Sequence, residues 1–175
     1  MLITETNKQF PFPESVKRTE GIHVSDLIRG IEKELFKPDT VYGNELFAQL
    51  GFIWERALEI AWRDLLGVRP DEIIVDGVIG SPDGVVINDK VVLNEYKCTW
   101  KSTRHSLEDN WRYMTQVKAY CYMIKTVHAE MYLFYVNGDY KQSGPKFKHF
   151  ELKFTEKELD DNWKMLLNYK DKINA

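Results

Sequence analysis

Three residues in one stretch of this chain have the types and spacing for metal-assisted chemistry on a phosphodiester. From Gly80 to Lys97 the sequence reads G-S-P-D-G-V-V-I-N-D-K-V-V-L-N-E-Y-K. Asp83 sits in a tight turn. Glu95 and Lys97 follow two apart on an apolar strand, so both side chains leave the same face. If the segments between them pair as a hairpin, two carboxylates and one ammonium converge. Magnesium and manganese take hard oxygen ligands and keep several waters. Such an ion lowers the pKa of its water and offsets the negative charge that grows on phosphate oxygens.

Each residue also has a plainer reading. Asp83 before Gly84 is a common turn pair, and Glu95 with Lys97 fits the exposed face of a half-buried strand. Their company shifts the balance. Glu95-Tyr96-Lys97 ends a strongly apolar strand and is followed by Thr99, Trp100, Lys101, Ser102, Thr103 and Arg104. That tail offers phosphate donors and a stacking ring. Gly51 and Glu55 form GxxxE on a helix, with Glu55 at the margin of the apolar stripe, where a solvated flank residue would also sit. A glycine inside a helix costs about 1 kcal/mol relative to alanine, which suggests close approach of another element at Gly51. Gln116 and Tyr120 are spaced i, i+4 and share a helix face, a pattern equally common on amphipathic surfaces.

The elements that must position these residues can be read from periodicity. Val24, Leu27, Ile28, Ile31 and Leu35 predict a helix over 24–35. Leu46, Phe47, Leu50, Trp54, Ala57, Leu58, Ala61 and Leu65 predict a second over 44–66, with Gly67 as its stop. The period then changes. Runs at 73–75, 84–87 and 91–93, separated by Gly80-Ser81-Pro82-Asp83 and by Asn88-Asp89-Lys90, read as a three-stranded meander. A helix over 108–125 follows, with Met114, Val117, Cys121 and Ile124 inward, and then a strand over 129–136. Residues 138–146 read as a mobile, exposed loop; the basic run Lys141, Lys146 and Lys148 is either a phosphate track or a solvated surface. A strand over 147–154 leads through the capping box Thr155-Glu156-Lys157-Glu158 into a last helix carrying Leu159, Trp163, Leu166, Leu167 and Tyr169.

The 175 residues, of which 43% are apolar and 29% charged, fit one globular α+β domain spanning 1–175. At that length folding buries roughly 70% of the unfolded chain's surface. No apolar run approaches the roughly 20 residues of a spanning helix, and no secretory signal is seen, so a cytoplasmic protein without a membrane partner is expected. The net charge of −3 gives no global attraction to nucleic acid, though a local basic track remains open. Cys98 and Cys121 lack metal-ligand spacing, which argues against a zinc or iron–sulfur site. Strand alternation turns Cys98 away from Glu95 and Lys97.

Taken together, the four motifs resemble the RecB-like branch of the PD-(D/E)XK nuclease superfamily, the branch that includes phage lambda exonuclease. Its pattern is GxxxE, GxxD, (D/E)xK and QxxxY. Here these are Gly51 to Glu55, Gly80 to Asp83, Glu95 to Lys97 and Gln116 to Tyr120, in the family's order across about 44–136. The resemblance implies a restriction-endonuclease-like αβββαβ core, a mixed central sheet flanked by helices, with an extra N-terminal helix and a C-terminal strand–helix. It implies one or two Mg2+ or Mn2+ ions on Asp83, Glu95 and the Tyr96 backbone carbonyl, with Glu55 assisting. Lys97 would orient or activate the attacking water, and Gln116 and Tyr120 would brace the site or contact DNA. Trp100, Lys101 and Arg104 would bind DNA. The implied activity is a DNA exonuclease of recombination, repair or phage DNA processing that leaves a 5′-phosphate and a 3′-hydroxyl. A ring-like homo-oligomer and a recombination or single-strand-annealing partner would fit that role. The alternatives are a structure-specific or restriction-type endonuclease, a non-cleaving DNA-binding or assembly module, and a chance match on an unrelated α+β domain. The chain departs from relatives that place a His before the metal-binding Asp, since His23 lies too far upstream. It also lacks the four cysteines of the iron–sulfur relatives.

Overall fold

A computed structural model describes residues 18–36, 45–61, 67–140 and 144–174. Strand β1 (Ile22–His23) runs directly into helix α1 (Val24–Phe36), and helix α2 (Glu45–Ala61) follows. Strands β2 (Ile73–Val75), β3 (Val78–Gly80), β4 (Gly84–Ile87) and β5 (Val91–Thr99) precede helix α3 (Trp111–Met123). The chain closes with β6 (His128–Tyr135), β7 (Lys146–Lys153) and α4 (Glu156–Asn174). This is the expected α+β architecture, with α1 in front of the core and β7–α4 behind it.

The strands form two mixed sheets. The larger has the order β4-β5-β6-β7, with β5 and β6 parallel and both outer pairs antiparallel. Parallel pairing needs a crossover, and α3 supplies it. The smaller sheet has the order β1-β3-β2, with β1 parallel and β2 antiparallel to β3. The expected meander is therefore corrected: run 73–75 does not pair with run 84–87 but turns back on β3. The turn between them is Asp76-Gly77, with φ of 51° and 70°. Two successive residues at positive φ make a tight hairpin whose twist matches the strands, and Asp-Gly is among its favoured sequences.

One face of the larger sheet holds the main core. Leu93, Ala129, Met131, Leu133 and Tyr135 of that face lie in one buried cluster with Val24, Leu27, Ile28 and Ile31 of α1, Val117 and Cys121 of α3, and Leu159, Trp163 and Leu166 of α4. Alternation in β6 is complete, with every second residue buried. The Thr155–Glu158 box is present as expected. Thr155 donates its backbone N–H to Glu158 Oε2 at 2.8 Å, and the Glu158 N–H returns to Thr155 Oγ1 at 3.2 Å. The other face carries α2 through a smaller cluster of Leu58 and Tyr96 with Trp54 and Tyr132. Trp54 stacks on Phe134 with ring centroids 4.4 Å apart.

Several expectations about single residues change. Ala57 and Ala61 of the expected α2 stripe are exposed. The side chains of Leu46 and Phe47, and residues 62–66 with Leu65, lie outside the described residues. Gly67 has a φ of +63°, and a Cβ there would lie 2.3 Å from the Val85 carbonyl oxygen. Lys146 and Lys148 belong to β7 and not to a loop, whereas Lys141 lies outside the described residues. Gly138 is buried and accepts the Thr103 N–H at 2.9 Å, so the start of the expected mobile loop is docked.

The two motif glycines behave differently. A Cβ on Gly51 would meet nothing within 4 Å among the described residues, so no element approaches it closely as its place in a helix had suggested. A Cβ on Gly80 would sit 2.5 Å from Met123 Sδ and 3.2 Å from Tyr120 Cε1, because α3 packs directly on β3 there. Gly51→Ala should therefore stabilise the chain by up to about 1 kcal/mol. Gly80→Ala should destabilise it by about 1–3 kcal/mol through overpacking. Denaturant midpoints measure both, and equal shifts of the same sign would contradict this packing.

Candidate active site

The site forms where β4 stops and β5 continues. The β4–β5 register ends at Gly84↔Asn94, while β5 runs on to Thr99. Beyond that point the Asp83 carboxylate stands in for the missing strand: its Oδ2 accepts the Tyr96 backbone N–H at 2.9 Å. In an extended strand the N–H and C=O of one residue point to the same edge, so the Tyr96 carbonyl faces the side where Asp83 lies.

Glu95 and Lys97 leave the opposite sheet face from Tyr96, toward α3. Glu95 is 1% exposed. Its Oε1 accepts from Lys97 Nζ, and Lys97 Nζ also lies 4.0 Å from Asp83 Oδ2. The second oxygen of Glu95, Oε2, is buried without a hydrogen-bond partner. A buried polar atom left so costs about 1–3 kcal/mol, and more when charged. From α2, Glu55 comes within 3.3 Å of Arg69, which at the same distance holds Asp83 Oδ1.

Mutual repulsion and burial set the protonation of this cluster. Burial, then the charge of Asp83, push the Glu95 carboxyl up to about 8 against the opposing pull of Lys97. Burial and Asp83 likewise raise Glu55, while Lys97 and Arg69 pull it down. Burial alone would lower Lys97, but Glu95 and Asp83 outweigh it and hold its pKa above that of an ordinary lysine. On α3, Gln116 Nε2 donates to the Tyr120 hydroxyl at 3.1 Å. Burial and the charge of Glu95 push the Tyr120 phenol up to about 12.

Of the residues singled out in the sequence, Glu55, Asp83, Glu95 and Lys97 thus come together, with Tyr120 beside them and Gln116 bonded to it. Trp100, Lys101 and Arg104 are placed in the connection past the end of β5. The Trp100 carbonyl accepts from the Tyr140 hydroxyl, and Lys101 and Arg104 are exposed. Lys101 lines a cavity of about 190 Å³ with Thr99, Ser102, His105 and Asn110. His23 is buried, with Nε2 at 2.9 Å from the Thr19 carbonyl oxygen. Cys98 and Cys121 are both free thiols. No described helix is long and apolar enough to cross a membrane.

Arg69 escaped the sequence reading. It follows Val68, which bridges Val85 through two backbone hydrogen bonds of 3.0 and 2.9 Å. That bridge carries Arg69 to Asp83, and nothing in the local spacing of either residue announces it.

Among the described residues no three His, Cys, Asp or Glu side chains form a complete cation site by themselves. The donors that fit a hard divalent cation are Asp83, Glu95 and the Tyr96 carbonyl, with Glu55 nearby. The unpartnered Glu95 Oε2 and the repulsion among three carboxylates are the features such a cation would relieve.

No family model and no curated sequence matches the chain. Solved structures do. The chain is similar to an alkaline exonuclease from Laribacter hongkongensis, with a TM-score of 0.58 and 14% identity over 89% of this chain and 88% of that one. The structure of that exonuclease in complex with dAMP gives 0.60 and 12% over the same shares. A phage-related exonuclease from Haemophilus somnus gives 0.53 and 13%, over 85% of this chain and 79% of that one. At such identities the likeness is one of fold.

Raised carboxyl pKa values have a sign for stability. Between about 4.3, where an unfolded glutamate releases its proton, and about 8 for folded Glu95, the folded chain holds a proton that the unfolded chain has lost. Stability without metal should therefore fall as pH rises through that window. Thermal unfolding in EDTA at about pH 5.5 and about pH 8.5 should show this loss, and Glu95→Gln should reduce it. An unaltered slope in the variant would show that Glu95 stays ionised throughout.

With its strand order, helix placement and structural neighbours taken together, the chain shares the fold of these phage-related and alkaline exonucleases.

Proposed function

We propose that this chain is a divalent-metal-dependent deoxyribonuclease, acting as an exonuclease in recombination, repair or phage DNA processing. The observation that carries the reading is the convergence of Asp83, Glu95 and Lys97 where β4 stops beside β5, on a fold shared with an alkaline exonuclease.

Asp83, Glu95 and the Tyr96 carbonyl would hold Mg2+ or Mn2+, and Glu55 would assist through a second ion or a water. When bound, such an ion acidifies its water and neutralises charge developing on the phosphate. The protein's own residues do the positioning. Lys97 keeps its proton between Glu95 and Asp83, so it acts as a fixed charged donor that orients the attacking water. The protonated Tyr120 phenol, aligned by Gln116, offers a second donor beside the carboxylates. Trp100, Lys101 and Arg104, past the end of β5, contact the DNA strand by stacking and charge. The same chain can serve as a ring-like homo-oligomer, with a recombination or single-strand-annealing protein as partner.

End-labelled linear DNA digested with magnesium, manganese or EDTA tests this. Label should be lost only with metal, and Asp83→Ala, Glu95→Ala and Lys97→Ala should each lower the rate about 100-fold or more while remaining folded. Covalently closed circles should survive; their cleavage would replace the exonuclease with an endonuclease of the same chemistry. Tight DNA binding without any cleavage would leave a binding module instead.

A further inference from the structure

The nuclease reading leaves Arg69 without a task, yet its placement is built. Gly67 adopts a φ of +63° against the Val85 carbonyl, and Val68 pairs with Val85 on both sides. Pro70 follows, which confines Arg69 to an extended backbone. Because Val85 lies two residues beyond Asp83, the backbone of Arg69 is fixed relative to the carboxylate it holds.

Arg69 differs from Lys97 in access. Lys97 is 16% exposed and gripped by Glu95, whereas the Arg69 side chain is 49% exposed and reaches its carboxylates from solvent. It is the cation of the pair that can leave. The charges point the same way. Among the described groups, Arg69 holds Asp83 Oδ1 at 3.3 Å, so a divalent cation that takes the Asp83 carboxylate competes directly with the guanidinium for it. The planar fork that spans two carboxylates also matches the oxygens of a phosphate, which an ammonium does not.

We propose that Arg69 is a positioning residue that exchanges partners: it holds Glu55 and Asp83 in the metal-free chain and, once a divalent cation takes Asp83, passes to a phosphate oxygen of the DNA backbone. The inference rests on the nuclease reading given above.

Two titrations on the full chain test it. Calorimetry with Mn2+ alone should show Arg69→Ala binding the ion several-fold more tightly than the parent, because a competitor is gone. Anisotropy of labelled duplex DNA in Ca2+ should show Arg69→Ala binding about tenfold more weakly, its log affinity against log salt flatter by about 0.9, the value of one phosphate contact. Unchanged Mn2+ affinity, or unchanged DNA affinity and salt slope, overturns the exchange. Should Arg69→Ala not fold, Arg69→Lys carries the test. A lysine keeps the charge but cannot span both carboxylates, so Mn2+ should still tighten and DNA still weaken; parent-like values for either overturn the proposal. A parent chain that cleaves no DNA, or Glu95→Ala binding Mn2+ as tightly as the parent, sinks the nuclease reading itself. Cleavage by the parent with unaltered titrations in the Arg69 variants sinks only the role of Arg69.

Discussion

One hydrogen bond organises this site, the 2.9 Å contact from the Tyr96 N–H to Asp83 Oδ2. Strand β4 ends its pairing at Gly84, and the strand it leaves uncovered has backbone groups that need partners. A carboxylate side chain supplies one of them. That substitution fixes Asp83 at the edge of the sheet and aligns it with the Tyr96 carbonyl. Had β4 continued, a backbone ladder would have stood where the Asp83 carboxylate now bonds. The early end of one short strand is thus what creates the site.

Tyr96 ties that edge to both faces of the sheet. Its backbone holds Asp83, while its side chain packs with Leu58 of α2 and stands edge-on to Tyr132 at 5.7 Å. Helix α2 is set down through this contact and through the stacking of Trp54 on Phe134. Glu55 is thereby delivered from one face while Glu95 and Lys97 come from the other. The two sets meet where the sheet ends. The outcome is electrostatically strained: a fully buried Glu95 with one unpaired oxygen costs stability that an apolar residue would not. The unpaired oxygen is the one the proposed cation would engage.

Much of this was legible from the chain alone, because the signals were local. Helix α1 follows from its apolar spacing, α4 from the Thr155–Glu158 box, and the meeting of Glu95 with Lys97 from a period of two. Asp83 followed from a turn next to a strand. What escaped depended on short elements or distant pairing. Strands β1 and β3 span two and three residues, too few for any periodicity to register. Asp76-Gly77 carried the hairpin signal, but the runs beside it were assigned to a meander because β3 was read as part of a connection. Gly51 was misjudged for a different reason. Its place in a helix implied a neighbour, and helix composition says nothing about what packs outside. Arg69 could not be found at all from spacing, since only the Val68–Val85 bridge brings it to Asp83.

The shape of the site also bears on what it can act on. A pocket for a small ligand buries most of its guest. Here the carboxylates sit at a strand edge, with Asp83 8% and Glu95 1% exposed behind an arginine that is half in solvent. On the proposed nuclease reading, the group acted on projects toward this edge, as the backbone of a polymer laid along it would. Lys101 and Arg104, exposed in the connection past β5, are the donors proposed to contact such a chain. A phosphodiester chain meets both requirements: its reactive group stands clear of the bases, and its neighbouring phosphates repeat at the spacing of a chain. The fold by itself does not select that substrate. On the proposed reading the selection comes instead from hard oxygen donors and cations gathered where β4 stops, Asp83 and Glu95 beside Lys97 and Arg69.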